Sequence, residues 1–277
     1  MDTTPLRAAF LTGLVLVGVS AAGPHRPGDR GPRPAAPPLQ LVLNIPATRL
    51  DVFRGDSLLA SFPVSVGRPG HETPTGSYRI THIVWNPWWH PPDRQWARGL
   101  KPHPPGADNP MGRVKMFFSN LYYIHGTPDV ADLGEPASHG CVRMANANAL
   151  QVARLVQEYG APGTTADVGR YVAHPSMTRT VWLDMPVAFR VEYAVAEVRN
   201  GRLLIHPDVY GSGRGVVREQ AVHALVQSGY NPGTLDQGRL DGLIRRAGRR
   251  SSVSVPVDSV VALEPGAAAS DAGGSAR

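Results

Sequence analysis

The sequence predicts a mainly β fold with one or two short helices and a small β-rich C-terminal extension. Apolar residues alternate with other residues in several short runs, which is the period of a strand with one buried face. The chain also holds 30 glycines and 27 prolines among its 277 residues. Such a composition favours short strands joined by turns over long helices.

The elements are assigned in chain order from these patterns. Period-two runs predict strands within residues 41–45, 58–66, 78–84 and 114–118. Apolar residues at helical spacing then predict one helix over residues 146–159,. Strands return at 181–183 and 187–195, and the Asn200-Gly201 pair is a strong hairpin signal before a strand at 203–205,. A short helix is predicted over residues 218–228.

A long proline-rich stretch over residues 86–112 reads as a structured loop rather than as a helix or strand. It begins beside Trp85 and contains Trp88 and Trp89. Loops of this length are commonly functional lids or binding walls. An aromatic plug packed over the core is an equally good interpretation, and the sequence does not separate the two.

The N-terminus predicts export to the periplasm or cell envelope. Arg7 precedes an apolar run over residues 8–23 that ends in small residues, which is the layout of a secretory signal. An uncleaved N-terminal anchor is the alternative. Residues 24–38 are rich in proline, glycine and arginine and are expected to form an extended tether.

The formal net charge of +6 does not identify a partner by itself. The arginines are scattered or gathered late, at 239–250, without interleaved aromatic residues, so nucleic acid is not indicated. An anionic polymer of the envelope suits a basic exported protein equally well. The segment 251–277 is low in aromatic residues and is expected to be disordered.

The only cysteine, Cys141, lies in the segment SHGCVRM at 138–144, sixteen residues after His125 in the segment IHGT at 124–127. A single thiol forms no internal disulfide, and in an exported protein a leftover cysteine flanked by histidines indicates a reactive nucleophile. A nearby imidazole can take the thiol proton and produce the reactive thiolate. Gly140 allows the backbone to come close to another group. A turn that placed the thiol at the N-terminus of the following helix would lower its pKa.

Two other interpretations of this cysteine remain open at the level of the residues. A lone cysteine is often a small buried hydrophobe. A zinc site formed by His125, His139 and Cys141 is also conceivable, although it has only three candidate ligands and no paired-cysteine spacing.

Taken together, these motifs resemble the L,D-transpeptidase (YkuD-type) catalytic domain of bacterial cell-wall enzymes. The resemblance covers residues 39–158 and continues more weakly at 187–193 and 208–211. It is carried by VSVGRPG (64–70), TPTG (73–76), NPWWHPP (86–92), NPMG (109–112), IHGT and SHGCVRM. It implies a β-sandwich-like L,D-transpeptidase fold over 39–160, an extension over 161–250, and no cofactor or metal.

The resemblance also assigns roles to residues of this chain. Cys141 matches the nucleophile, and His125 matches the general base, its ring oriented by the Gly126 carbonyl. The turn of His139, Gly140 and Cys141 matches an oxyanion hole built from backbone N–H groups.

Further residues match supporting and substrate-binding positions. Ser138 is expected to hold the turn. Arg143 suits pairing with a substrate carboxylate, because its planar fork binds one bidentately. Thr127, Trp88 and Trp89 are the other predicted substrate contacts.

The activity implied by the resemblance is that of a peptidoglycan L,D-transpeptidase. Cys141 would displace the terminal D-alanine of a stem tetrapeptide, and an amine of a second stem or of an outer-membrane lipoprotein would resolve the thioester. An L,D-carboxypeptidase using water, and a non-catalytic wall-binding protein of the same fold, are the alternatives. Carbapenem-type β-lactams are expected to be covalent inhibitors.

Overall fold

The computed structural model describes residues 37–106, 108–247 and 251–261. The predicted signal or anchor over 1–23, nearly all of the predicted tether, and the tail beyond residue 261 lie outside the described residues. Within the described residues, no helix has both the length and the apolar character required to cross a membrane.

Most secondary structure in the described residues is β. The strands are β1 (Leu39–Asn44), β2 (Arg49–Arg54), β3 (Ser57–Pro63), β4 (Val66–Gly67), β5 (Gly76–Trp85), β6 (Val114–Phe117), β7 (Tyr123–Thr127), β8 (Pro136–Ser138), β9 (Val142–Ala145), β10 (Arg179–Glu192), β11 (Ala196–Arg199), β12 (Arg202–Ile205) and β13 (Val253–Pro256). The helices are α1 (Asn146–Gly160), α2 (Val168–Ala173), α3 (Arg214–Gln227) and α4 (Gln237–Arg246). The prediction of a mainly β chain is confirmed.

One eight-stranded sheet dominates the fold, with the strand order β3-β2-β1-β10-β5-β6-β7-β9. β1 pairs with β10 in parallel and β7 pairs with β9 in parallel, whereas the other neighbours are antiparallel. β4 and β8 form a separate two-stranded parallel pair. The parallel pair of β7 and β9 brings together the two motifs that the sequence singled out.

Alternation along the strands places one face of this sheet on a continuous apolar core. Val114 and Met116 of β6, Ile124 of β7 and Val142 of β9 are all fully buried there, as period-two patterning predicts. Helix α1 covers the same core with Ala149, Val152, Ala153 and Val156.

The structure differs from the predicted division of the chain after residue 160. β10 lies between β1 and β5 inside the large sheet, so the sheet is incomplete without residues 179–192. A second core begins only at Val195 and includes residues of β12, α3 and α4. The pattern of β10 predicts a strand but not its partner, because the residues of β1 that pair with it lie 148 positions earlier in the chain.

The predicted C-terminal extension over 161–250 contains three helices, α2, α3 and α4, as well as strands. The Asn200-Gly201 hairpin is present, with φ values of 51° and 69° joining β11 to β12. Helix α4 was not predicted, although Asp236 caps it by accepting a hydrogen bond from the Arg239 backbone N–H at 2.9 Å,. β13 pairs with β12, so residues 253–256 are a strand where disorder was expected.

Candidate active site

The sheet brings the two histidine and cysteine motifs together on the face opposite the main core. Directly opposed residues on neighbouring strands share a face. His125 of β7 is paired with Lys115 of β6 and with Arg143 of β9. Phe117 and Tyr123 form the next row on that face, and Cys141 precedes β9 beside Tyr123.

A cavity of about 760 Å³ lies over these rows. Cys141, His125, His139, Ser138 and Arg143 all line it. Loops from elsewhere in the chain complete its walls. With Trp88 and Trp89, the structure gathers seven of the predicted site residues around one opening.

His125 is buried with only 2% of its surface exposed, and its ring is held by one hydrogen bond. Nδ1 lies 2.7 Å from the Gly126 carbonyl oxygen. A carbonyl only accepts, so Nδ1 carries the proton and Nε2 of the neutral ring keeps its lone pair. Burial lowers the pKa of His125 to about 4, and the charges of Arg143 and Lys115 add to this. Above that pH the ring is neutral and Nε2 can accept a proton.

Cys141 is a partly buried thiol held in its protonated form. Burial raises the pKa of Cys141 above its ordinary value of about 9, against the lowering effects of the Tyr123 backbone N–H, Arg143 and Lys115. Its Sγ lies 4.0 Å from the Leu121 carbonyl oxygen, which is a weak contact. Since the base has a low pKa and the thiol a high one, proton transfer between them is uphill at rest.

The helix dipole does not correct this imbalance. Helix α1 begins at Asn146, and strand β9 separates it from Cys141. A dipole acts mainly within the terminal turn of its helix. The predicted contribution of the helix N-terminus to the thiol pKa is therefore wrong for this turn.

The turn that carries the thiol is fixed by Ser138 and Gly140. Ser138 Oγ donates to the Cys141 carbonyl at 2.6 Å and accepts from the Gly140 N–H at 3.0 Å. Gly140 has a φ of +106°, and a Cβ there would lie 2.5 Å from the Tyr122 ring, so only glycine fits. These two hydrogen bonds are what the predicted role of Ser138 in holding the turn requires. The Gly140 N–H, one of the predicted oxyanion-hole donors, already has Ser138 Oγ as an acceptor inside the turn.

Thr73 and Tyr210 support this turn from other parts of the chain. Thr73 Oγ1 donates to the Gly140 carbonyl at 3.0 Å and accepts from the Gly67 N–H at 2.9 Å. The Tyr210 hydroxyl donates to the Gly67 carbonyl at 2.8 Å and accepts from the Thr73 N–H at 3.1 Å. A residue of the C-terminal region thus stabilises the loop that positions the thiol.

The Tyr210→Phe variant is expected to lose about 1–3 kcal/mol of unfolding free energy, because two buried backbone groups of Gly67 and Thr73 lose their partner. Urea unfolding measures this loss. The matched control is Tyr230→Phe, whose hydroxyl makes no hydrogen bond within the described residues and whose loss should cost less than about 0.5 kcal/mol. Equal small losses in both variants would show that the Tyr210 hydroxyl contributes nothing to this loop.

His139 lines the cavity but is arranged differently from His125. Its Nε2 lies 2.9 Å from an Arg68 Nη2 atom, and the guanidinium only donates, so this nitrogen is an acceptor already in use. Partial burial lowers the pKa of His139, and Arg68 and His71 add to the effect. The His71 ring meets the His139 ring edge-on with 4.8 Å between centroids. His125 is therefore the better placed of the two as a base.

The described residues contain no group of three or more His, Cys, Asp or Glu side chains that could hold a metal ion. His139 directs Nε2 towards Arg68, and His125 uses Nδ1 on a carbonyl. The arrangement is that of a thiol, a neutral base and two nearby cations, which suits nucleophilic chemistry on a carbonyl group.

Comparison with known proteins identifies the family. A sequence profile of the L,D-transpeptidase catalytic domain, named YkuD, matches residues 38–180, just over half of the chain. The chain belongs to the L,D-transpeptidase (YkuD) family. Its match begins one residue before β1 and ends in β10.

Relatives of this L,D-transpeptidase domain are distant and match only in part. YbiS of Escherichia coli K12, described as a probable L,D-transpeptidase, is 30% identical over 115 residues, which is 38% of this chain and 38% of that protein. YkuD of Bacillus subtilis strain 168 is 26% identical over 140 residues, or 50% of this chain and 71% of that protein. The crystal structure of L,D-transpeptidase 3 from Mycobacterium tuberculosis aligns with a TM-score of 0.37 at 18% identity, covering 56% of this chain and 61% of that one.

The long loop of the L,D-transpeptidase domain forms one wall of the cavity. Trp88, 46% exposed, and Trp89, 8% exposed, both line it. Trp89 is anchored by backbone hydrogen bonds to His103 in both directions, at 3.0 and 2.9 Å. The loop thus contributes one buried and one open tryptophan to the cavity, while Trp85 packs in the core.

Of the two remaining predicted substrate contacts, Arg143 lines the cavity and Thr127 does not. Arg143 lines the cavity, and its nearest carboxylate, Asp132, lies at 4.0 Å, so the guanidinium is only loosely paired. Thr127 is buried, accepts a hydrogen bond from the Asp129 N–H, and is not among the residues that line the cavity. Its predicted contact with substrate has no support in the geometry, because β7 carries it past the opening.

Several residues of the site were missed from the sequence. Lys115 of β6 and Tyr123 of β7 lie on the face opposite the core and line the cavity, and for Lys115 the alternation in residues 114–118 indicates this. Arg68 and Thr73 contact the turn that carries the thiol from 71 and 67 residues away along the chain, and Tyr210 contacts Gly67 from 143 residues away. No local pattern indicates such contacts.

Proposed function

We propose that this chain is a peptidoglycan L,D-transpeptidase that works through a thioester on Cys141. The observation that carries the proposal is that a lone thiol and a buried neutral imidazole line one cavity: His125 lies within β7, and Cys141 lies directly before the adjacent strand β9. Family membership supplies the class of reaction, and the geometry supplies the groups that would perform it.

The first half-reaction transfers the acyl group of a stem tetrapeptide to the enzyme. His125 Nε2 takes the thiol proton while Cys141 Sγ bonds to the carbonyl carbon before the terminal D-alanine. Because the thiolate–imidazolium pair is disfavoured at rest, proton transfer accompanies attack instead of preceding it. The C–N bond then breaks, and the imidazolium returns the proton to the departing D-alanine amine.

The second half-reaction releases the acyl group to an acceptor amine. The amine attacks the thioester carbonyl, loses a proton to His125 Nε2, and leaves an amide as the protonated thiol is restored. The acceptor is proposed to be an amine of a second stem or of an outer-membrane lipoprotein. The loosely paired Arg143 suits a stem carboxylate, and the open Trp88 supplies apolar contact.

We propose that this chemistry takes place in the periplasm or cell envelope, where peptidoglycan lies, because residues 1–23 have the layout of a secretory signal,. The same reaction predicts covalent inhibition by β-lactams of the carbapenem type. In the stem peptide and in the β-lactam alike, the Cys141 sulfur would attack an amide carbonyl. The strained lactam ring opens, whereas the stem peptide releases an amine.

The deciding experiment incubates the full chain with a disaccharide-tetrapeptide, with and without a second stem, and follows the products by mass spectrometry. Loss of D-alanine together with a cross-linked dimer is the expected result. Loss of D-alanine giving only the tripeptide would assign water as the acceptor, as in an L,D-carboxypeptidase. No release of D-alanine from a folded protein would contradict the proposed acyl transfer.

A further inference from the structure

Lys115 occupies a singular position among the basic residues of the chain. Of the 28 lysines and arginines, only Lys101 and Lys115 are lysines. Lys101 is exposed and lies outside the cavity, whereas Lys115 is partly buried and lines it. It is paired in register with His125 on the face that carries Cys141. A chain that uses arginine almost everywhere thus holds a lysine beside its thiol.

The Lys115 ammonium is held by rings and not by a carboxylate. Nζ lies 5.1 Å from the centre of the Phe117 ring and 5.2 Å from that of Tyr123, within the range of cation–π attraction. In the part of the chain that the structure describes, no carboxylate forms an ion pair with it. Aromatic rings hold a cation in place without neutralising it, so its charge remains available to an anion in the cavity.

One of the groups that face Lys115, the Cys141 thiol, becomes an anion during the proposed reaction. They come from three elements: His82 of β5, Tyr123 and His125 of β7, and Cys141 and Arg143 at β9. Burial lowers the pKa of Lys115 and the Cys141 sulfur raises it. In return, Lys115 lowers the pKa of the Cys141 thiol. The interaction is therefore reciprocal, as linkage requires.

We propose that the Lys115 ammonium stabilises the negative charge on the Cys141 sulfur as the thiol proton leaves for His125. The inference rests on the proposed function, in which that sulfur is the nucleophile. The S–H bond breaks, His125 Nε2 gains the proton, and the charge on sulfur passes to the substrate carbonyl oxygen as the C–S bond forms. Lysine suits the position because its ammonium is a compact point charge on a slender stem, which fits between two rings and a sulfur.

Alkylation of Cys141 by iodoacetamide tests this without any peptidoglycan substrate, so its outcome is independent of whether acyl transfer is observed. Cys141 is the only cysteine, and the rate is measured against pH. Lys115→Met should shift the apparent thiol pKa upwards by about one unit, which lowers the rate at pH 7 about 10-fold. Lys115→Arg should keep most of the wild-type rate, and Lys101→Met is the matched control, expected to be unchanged. Identical pH profiles for Lys115→Met and wild type would overturn the proposal.

A second measurement serves if Lys115→Met does not fold. Reductive ¹³C-methylation of the folded chain keeps the lysine charges and labels only two side chains and the N-terminus, so each signal can be assigned and titrated by NMR. The Cys141→Ala variant should titrate Lys115 at a lower pH than wild type, because the neighbouring thiolate is gone, with Lys101 unmoved. An unchanged Lys115 titration would show that its charge does not act on the sulfur.

Discussion

Replacing Cys141 with alanine is expected to abolish D-alanine release and carbapenem acylation while leaving the fold intact. Without the thiol, the neutral base has no nucleophile to activate. The rate of D-alanine release should therefore fall at least about 10³-fold, as is typical when a catalytic nucleophile is removed. Stability should change little, because one small, partly exposed side chain is lost from the solvent side of the sheet,.

Intact mass after incubation with a carbapenem is the direct measurement. Wild type should gain the mass of one inhibitor molecule, and the Cys141→Ala variant none. Lys101→Met, altered at an exposed lysine that does not line the cavity, is the control and should behave as wild type does. Acylation of the alanine variant, or release of D-alanine at near the wild-type rate, would move the nucleophile to another residue.

How well the sequence predicts this site depends on how far apart along the chain the contacting residues lie. Strand alternation, the Asn200-Gly201 turn and the helix over 146–159 are local patterns, and each is present in the structure. Two short motifs also indicate that His125 and Cys141 share one site, and the structure brings both into one cavity because β7 and β9 are adjacent strands. The same alternation puts Lys115 on the outward face of β6, between the buried Val114 and Met116 and opposite His125.

Other features depend on distant parts of the chain and have no local signature. β10 inserts between β1 and β5, although its pattern resembles that of any half-buried strand. Tyr210 reaches Gly67 across 143 residues of sequence. The internal bond of the Gly140 N–H to Ser138 depends on the conformation of the turn, which residue types alone do not specify.

Replacing His125 with asparagine is expected to lower kcat/KM for D-alanine release by about 10²–10⁴-fold, the contribution typical of a positioned general base. The asparagine amide can still donate to the Gly126 carbonyl, so the turn keeps its hydrogen bond but loses the acceptor at Nε2. His139→Asn is the matched comparison and should have a much smaller effect, because its Nε2 is already occupied by Arg68. Equal losses in the two variants, or a larger loss in His139→Asn, would reassign the base.

The pH dependence gives the same assignment an independent check. His125 has a pKa of about 4 in the folded chain against about 6.5 when unfolded, so the unfolded chain binds the extra proton between these values. The contribution of neutral His125 to the unfolding free energy is therefore full above pH 6.5 and falls as the pH drops towards 4, by up to roughly 3 kcal/mol. For activity, the same pKa predicts that kcat/KM falls on the acid side near pH 4, where Nε2 becomes protonated. The stability loss between pH 6.5 and 4 should be smaller in His125→Asn than in wild type, and an undiminished loss would mean that His125 is not the buried neutral histidine described here.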